Sequence, residues 1–146
     1  MISGGTLQTK STYTLIDKYQ AVVNNGRQHA VLMDLPAGKG DDIAPTALEY
    51  LVMSLAGCIG TIYKVVADKM RLKIQRLKVD LEAEKGEDDP TVKAVHATVY
   101  VKTNAPMAKL EKCLDLTMKT CPVGALYEKA NIPMDVKVKL IEEVEG

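Results

Sequence analysis

The chain has 146 residues, 19 basic and 19 acidic side chains, and neither tryptophan nor phenylalanine. This length predicts a single domain over residues 1–146, near the size at which dimers are common. Zero net charge and 4% aromatic residues argue against nucleic-acid binding, because a basic field and base-stacking platforms are both lacking. Three cysteines without a secretory or membrane-spanning signal predict a cytoplasmic protein, not bound to a membrane, with free thiols.

The first third of the chain predicts three antiparallel strands. Segments 6–15 and 19–23 are rich in threonine, tyrosine and valine, and Asn24-Asn25-Gly26 is a hairpin signal because Asn and Gly accept positive φ. A third strand is predicted over 27–33. Such a small sheet cannot bury both of its faces, so we expect it to pack against a partner.

A glycine-containing loop over 34–44 precedes the longest helical pattern in the chain. Apolar residues recur at helical spacing from Pro45 to near Arg71, which predicts about seven turns. Segment 48–63 contains one charge, Glu49, and a helix that is apolar on nearly all sides is usually buried by several neighbours. We therefore expect this helix to be central in the fold.

The remaining elements follow as a strand pair, two helices and a final strand. Alternation of apolar and polar residues defines the strands, and prolines begin the helices. These elements are predicted at residues 77–84, 95–101, 106–118, 122–130 and 134–140. The order β-β-β-α-β-β-α-α-β is an α+β arrangement.

Cys58 lies in the apolar helix, on a stripe of small side chains. Ser54, Gly57 and Thr61 share that stripe at helical spacing, which lets another helix approach closely. A buried structural cysteine also suits such a packing face, and cysteine is among the most buried residue types. The residues leave both interpretations open, a reactive thiol and a core side chain.

Cys121 directly precedes Pro122, a residue that suits the first position of a helix. The cysteine then occupies the cap position, where its sulfur would accept hydrogen bonds from unpaired backbone N–H groups. Because a thiolate is stabilised there, this context predicts a lowered pKa for Cys121. The alternative is a poor cap on a small turn. Cys113, in the middle of the preceding predicted helix, is expected to be a core residue.

Other chemical signals are weak. The cysteines show no CxxC spacing, and His29 and His96 are far from them in sequence. Phosphate-binding loops and nucleophile elbows are not found, so we predict neither a metal nor a cofactor. The basic residues between Lys64 and Lys78 fit a helix C-terminus followed by a solvated strand face.

Two sequence segments together resemble the OsmC/Ohr family of osmotically inducible and organic-hydroperoxide-resistance proteins. They are Pro45-x-x-x-Glu49-x-Leu51-x-x-Ser54-Leu55-Ala56-Gly57-Cys58 and, further along, Cys121-Pro122-Val123. The resemblance implies an OsmC-like α+β fold with an N-terminal meander, a long central cysteine helix, a strand pair, a second helical segment and a final strand. It also implies an intertwined homodimer with two sites at the subunit interface.

The same resemblance implies a cysteine-based peroxidase that acts in oxidative stress on organic hydroperoxides and also on hydrogen peroxide. Cys58 would attack the small peroxide substrate and become a sulfenic acid, Cys121 would resolve it as a disulfide, and an external dithiol would reduce the disulfide. The local argument, in contrast, favours Cys121 as the more acidic thiol. The two arguments assign the roles differently.

Well-characterised family members activate the first cysteine with an arginine held by a glutamate ten residues before that cysteine. Here Leu48 is ten residues before Cys58, and Glu49 is nine residues before it, on the opposite side of an ideal helix. Glu49 also suits a first-turn acid facing the helix dipole. Arg27 is the only arginine before the helix, and Lys39 is a substitute cation. Glu49 and Arg27 are the candidate activating residues.

A function from a different class stays open, namely a non-catalytic dimeric module that binds a small apolar ligand in the interface cleft. Met33, Met53, Met118 and the loop 38–40 would line such a cleft, because methionine surfaces adapt to varied ligands. The alternative role of these methionines is to fill the core.

Overall fold

A computed structural model of the chain describes residues 5–142. Within these residues it contains three helices and two three-stranded sheets, in the order expected from the sequence. The prediction of an α+β fold is confirmed. The chain divides into two compact units, Met1–Tyr50 and Leu51–Gly146, and each is described in turn.

The N-terminal unit contains the predicted antiparallel meander. Its strands are β1 (Thr12–Asp17), β2 (Gln20–Asn24) and β3 (Ala30–Met33), paired in the order β1-β2-β3. The first strand begins later than expected, since residues 6–11 lie outside β1. All six residues of β1 are exposed, so both of its faces are open to solvent.

The turn between β2 and β3 is longer than the predicted hairpin. Gly26 has φ +75°, and the Asn25 side-chain oxygen accepts hydrogen bonds from the backbone N–H of Arg27 (2.8 Å) and of His29 (3.3 Å). These side-chain bonds compete with strand pairing, which resumes only at Ala30. The expectation that Arg27 begins the third strand is therefore wrong, because it lies in this turn.

The loop after β3 is organised around one buried carboxylate. Asp34 is 3% exposed and accepts hydrogen bonds from the backbone N–H of Leu35, Asp41 and Ile43. Burial opposes ionisation, but these three donors together lower the pKa of Asp34 below its usual value. A Cβ at Gly40 would lie 2.6 Å from the Asp34 carboxylate, so the loop requires glycine there.

Helix α1 (Ala47–Lys69) starts two residues after the predicted proline. The Thr46 hydroxyl accepts from the Glu49 N–H, and the Glu49 carboxylate accepts from the Thr46 N–H, each at 3.1 Å. This reciprocal pair is a capping box, and it sets the start of the helix in place of Pro45. Arg71, with φ +60°, follows the last helical turn, where a left-handed residue ends a helix.

In the C-terminal unit, helix α1 packs against a second sheet. Strand β4 (Ile74–Lys85) pairs antiparallel with β5 (Val92–Thr103), which pairs parallel with β6 (Met134–Leu140). A parallel pair needs a long crossover, and helices α2 (Met107–Thr120) and α3 (Pro122–Lys129) provide it.

The core of this unit lies between the helices and the apolar face of the sheet. The Tyr63 hydroxyl donates to the carbonyl oxygen of Leu110 (3.1 Å), which ties α1 to α2. A Cβ at Gly60 would lie 3.5 Å from a Val79 methyl group, so α1 approaches β4 closely. The largest fully buried side chains of the unit include Leu55, Ile59, Tyr63, Val95, Val99, Val101 and Leu110.

Among residues 5–142, α1 is the one helix whose length and composition would allow it to cross a membrane. Core helices of water-soluble proteins pass the same test. The side chains of Leu55, Ile59, Tyr63, Val66 and Ala67 are buried within the protein. The opposite side of α1 carries exposed residues such as Met53, so one face of the helix is core and the other is open.

Candidate functional site: a dithiol between two helices

The structure brings Cys58 and Cys121 together, although 63 residues separate them in sequence. Their Sγ atoms are 2.9 Å apart, and both residues are free cysteines. A disulfide bond is about 2.05 Å long, so the pair is a contacting dithiol that needs little movement to form a bond.

The two sulfurs differ in their access to solvent. Cys58 lies on the border of α1 between the buried positions Leu55 and Ile59 and the exposed positions Ser54 and Gly57, and it is half-buried. Cys121 is 0% exposed. A reagent in solution therefore reaches Cys58 first.

Cys121 connects two helices and caps one of them. It follows the last residue of α2, and its backbone is extended (φ −68°, ψ 112°) before Pro122 begins α3. Its Sγ accepts a hydrogen bond from the Gly124 N–H at 3.3 Å. The prediction that Cys121 occupies the cap position is confirmed.

The predicted acidity of Cys121 is wrong. Burial raises the pKa of Cys121 to about 11, and the hydrogen bond to Cys58 acts in the same direction, while the Gly124 N–H lowers it by less. Removing the sulfur from water disfavours the thiolate more than the cap stabilises it. Cys121 therefore keeps its proton, and its S–H donates a hydrogen bond to the Cys58 sulfur.

Two residues that the sequence argument did not single out position the dithiol. Tyr127 is 2% exposed, and its hydroxyl donates to the Leu51 carbonyl (3.4 Å), which ties α3 to α1. A Cβ at Gly124 would lie 3.4 Å from the Cys121 sulfur and 3.5 Å from the Met118 terminal methyl, so the cap is closely packed. The sequence signal that could have identified Gly124 is its spacing, because the backbone N–H of the third residue after a cap is a usual donor to the capping side chain.

Cys113, the third cysteine, is a core residue as predicted. It is 0% exposed, and its Sγ donates to the Tyr63 carbonyl oxygen at 3.5 Å. Burial raises the pKa of this thiol. It is therefore protected from reagents in solution and held in the thiol form.

The candidate activating residues belong to the N-terminal unit. Glu49 forms the capping box with Thr46, Arg27 lies in the β2–β3 turn, and Lys39 lies in a turn closed by its N–H and the Pro36 carbonyl (3.0 Å). Their proposed roles toward the thiols stay predictions.

Comparisons with known proteins show which family and which solved structures this chain is similar to. The family described as OsmC-like protein matches residues 38–137, a range that includes both members of the dithiol. Three solved structures have the same fold over nearly the whole chain. The OsmC like protein from Mycoplasma pneumoniae has a TM-score of 0.83 at 14% identity, covering 93% of this chain and 99% of that one.

The other two structures are named organic hydroperoxide resistance proteins. The one from Legionella pneumophila has a TM-score of 0.69 at 10% identity and covers 92% of this chain and 98% of its own. OhrB of Bacillus subtilis has a TM-score of 0.59 at 18% identity with the same coverage, 92% and 98%. No curated protein sequence matches the chain. The family match covers more than half of the sequence, and the chain therefore belongs to the OsmC-like protein family.

Proposed function

We propose that the protein is a thiol-dependent peroxidase that reduces organic hydroperoxides, and hydrogen peroxide as well, through Cys58 and Cys121. The observation that carries this proposal is the contact of the two sulfurs at 2.9 Å, in which the buried Cys121 donates to Cys58. Family membership supports it, as do the names of the Legionella and Bacillus structures, which refer to organic hydroperoxide resistance.

In the first step, the Cys58 thiolate attacks the terminal oxygen of the hydroperoxide. The O–O bond breaks, an S–O bond forms, and the leaving alkoxide takes a proton from solvent to become the alcohol, so Cys58 becomes a sulfenic acid. Cys58 has this role because it is the sulfur that solvent reaches, whereas Cys121 is fully buried. The S–H of Cys121 points at the Cys58 sulfur and therefore stabilises negative charge there.

In the second step, the Cys121 sulfur displaces hydroxide from the Cys58 sulfenic acid. The Cys121 proton leaves with the hydroxide as water, and a disulfide forms between the two residues. Because the sulfurs already touch, this step needs no large rearrangement of the helices. An external dithiol then reduces the disulfide by exchange and restores the starting state.

We further propose that the active protein is a cytoplasmic homodimer. Three free cysteines fit a reducing compartment. The N-terminal meander leaves apolar residues of both faces exposed, among them Tyr13 (61%), Leu15 (55%) and Ile16 (58%). A surface of this kind usually marks an interface, and a second copy is the partner that the family resemblance implies.

The proposal includes an activating cation for Cys58, with Arg27 as the first candidate and Lys39 as the alternative. Glu49 is the candidate carboxylate that holds it. Their assignment depends on the family resemblance, and substitution of each residue tests it separately from the dithiol chemistry.

The decisive experiment is titration of the reduced protein with an organic hydroperoxide, followed by thiol counting and mass spectrometry. We expect two thiols per chain to disappear, a Cys58–Cys121 disulfide to form, and Cys113 to stay reduced. Cys58→Ser should abolish peroxide consumption, whereas Cys113→Ala serves as the matched control and retains it. If all three thiols survive and no peroxide is consumed, the peroxidase proposal is wrong and the ligand-binding module becomes the better hypothesis.

A further inference from the structure

The outer face of the β4-β5-β6 sheet separates its charges by sign. We call one cluster the basic end, and it contains Arg76, Lys102 and Lys139 in neighbouring pairing rows. We call the other cluster the acidic end, and it surrounds His96 with three carboxylates, those of Glu82, Glu84 and Asp135. Between the two ends lie Lys137 and an ion pair of Lys78 with Asp80 (3.4 Å). The face is therefore positive at one end of the strands and negative at the other, although the whole chain has zero net charge.

The two ends are far enough apart to act separately. Arg76 and Glu84 lie on the same strand, 84 − 76 = 8 residues apart, which corresponds to about 26 Å at roughly 3.3 Å per residue. The Debye length at physiological ionic strength is only about 8 Å. An ion pair between Lys78 and Asp80 joins the inner edges of the two ends, but the outermost charges, such as those of Arg76 and Glu84, are screened from one another.

The acidic end is concave. A cleft of about 340 Å³ is lined there by three carboxylates (Asp80, Glu82 and Asp135), by His96, Thr98 and Tyr100, and by one cationic side chain, Lys137. The His96 ring lies 3.9 Å from a Glu84 oxygen and 3.8 Å from an Asp135 oxygen, and the three side chains are 53%, 57% and 70% exposed. An incoming cationic side chain would find carboxylates on several sides and open access from solvent.

At the basic end, side chains of like charge lie next to one another. Arg76 and Lys102 are directly opposed across the β4–β5 pair, an arrangement in which like charges destabilise a sheet. In the next row, Lys139 lies opposite Tyr100, and Lys78 on the other side of Tyr100 is paired with Asp80. An anionic surface placed over these rows would relieve the repulsion between the basic side chains.

We infer that this face is an interface between copies of the chain, in which the basic end of each copy lies over the acidic cleft of the other. A two-fold axis that reverses the strand direction makes both contacts at once, as an isologous interface requires. A polyanion would suit only the basic end, and a cation only the acidic end. A second copy is the partner that matches both. The interface is distinct from the homodimer proposed above and does not depend on the peroxidase proposal.

The test is a charge swap read by sedimentation velocity. One variant reverses charges of the basic end with Arg76→Glu and Lys102→Glu, and the other reverses charges of the acidic end with Glu82→Lys and Glu84→Lys. At ionic strength near 0.01 M, where the Debye length is about 30 Å, we expect the wild type to form larger species than at about 1 M, where it is roughly 3 Å. Each variant alone should lose this salt-dependent association, and an equimolar mixture of the two should recover it.

Recovery in the mixture also shows that both variants are folded. The neutral pairs Arg76→Gln with Lys102→Gln and Glu82→Gln with Glu84→Gln are the matched controls, and mixing them should recover nothing. Peroxide turnover should be unchanged in every variant, since none of these residues contributes to the dithiol. The inference is overturned if wild-type size does not respond to salt, if only one end affects association, or if the charge-reversed variants do not associate when mixed.

Discussion

Helices α1 and α3 both begin with a side chain that accepts a hydrogen bond from the backbone, but the two acceptors are of different kinds. Helix α1 begins with oxygen acceptors, the Thr46 hydroxyl and the Glu49 carboxylate, in a reciprocal box with 3.1 Å bonds. Helix α3 begins with a sulfur, that of Cys121, which accepts from Gly124 at 3.3 Å. Sulfur is the weaker acceptor, and it is also the atom that can be oxidised.

The difference shows that a helix start can serve stability or chemistry. An oxygen cap satisfies unpaired N–H groups and adds about 1 kcal/mol of stability. The sulfur cap on α3 fixes a thiol in one place, fully buried and aimed at Cys58. Burial keeps that thiol protonated, which suits a residue that waits for a sulfenic acid and does not attack peroxide itself.

The largest expected effect comes from making the α3 cap an oxygen. In Cys121→Ser, the hydroxyl can still accept from the Gly124 N–H, so the helix start and the thermal stability should be retained. The second chemical step is lost, because no thiol remains to displace hydroxide from Cys58. We expect one equivalent of hydroperoxide to be consumed per chain, a sulfenic acid to accumulate on Cys58, and steady turnover to fall at least about a hundredfold, or ~2.7 kcal/mol.

The sulfenic acid can be measured with a sulfenic-acid-specific nucleophile and mass spectrometry. Cys113→Ala is the matched control and should form the Cys58–Cys121 disulfide normally. A Cys121→Ser protein that keeps wild-type turnover would show that Cys121 does not resolve the intermediate.

Much of the fold could be predicted from the sequence, because its signals are local. Apolar periodicity placed α1, β4, β5 and β6, and the proline after Cys121 placed the start of α3. The errors came from side chains that bond to nearby backbone. Asn25 lengthened the first hairpin, and the Thr46–Glu49 box moved the start of α1. Such bonds compete with regular structure but leave no periodic pattern.

The candidate site could be predicted only in part. Cap geometry is local, and so the position of Cys121 followed from Pro122. The pKa of Cys121 depends on burial, which is a property of the assembled helices and not of the segment. The contact of Cys58 with Cys121 likewise depends on tertiary structure. From the sequence, only the family resemblance connected the two residues.

The buried sulfur cap also predicts a loss of stability at alkaline pH. Because the pKa of Cys121 is raised from 9.0 to about 11, the unfolded chain loses this proton first as the pH rises. The stabilisation is complete below pH 9 and is lost between pH 9 and pH 11, with a total between about 1 and 3 kcal/mol at ~1.4 kcal/mol per unit.

Urea unfolding of the reduced protein near pH 8 and near pH 10.5 measures this loss. Cys121→Ser is the control, since it retains Cys113 and every other titrating group but has no thiol at the cap. We expect the wild type to lose more stability over this range than the serine variant. Equal losses would show that the folded environment does not hold the Cys121 proton.

A smaller effect tests whether the oxygen cap on α1 has a second role. Glu49→Gln keeps an oxygen that can accept from the Thr46 N–H but removes the negative charge. If Glu49 holds the activating cation, as proposed, kcat/KM should fall about tenfold, or ~1.4 kcal/mol of barrier, with little change in melting temperature. A variant with wild-type kcat/KM would limit Glu49 to capping.

The smallest expected effect comes from Thr46→Ala, which removes the other half of the same box. The Glu49 N–H then loses its acceptor, and the free energy of unfolding should fall by about 1 kcal/mol, measured by urea denaturation near neutral pH. Turnover should stay close to that of the wild type, because the hydroxyl is proposed only as a cap. Thr46→Ala and Cys121→Ser should therefore have opposite consequences. Thr46→Ala should lower stability without stopping turnover, and Cys121→Ser should stop turnover without lowering stability. If Thr46→Ala reduces kcat/KM as strongly as Glu49→Gln, the box as a whole supports the chemistry, and the separation between a cap for stability and a cap for chemistry does not hold.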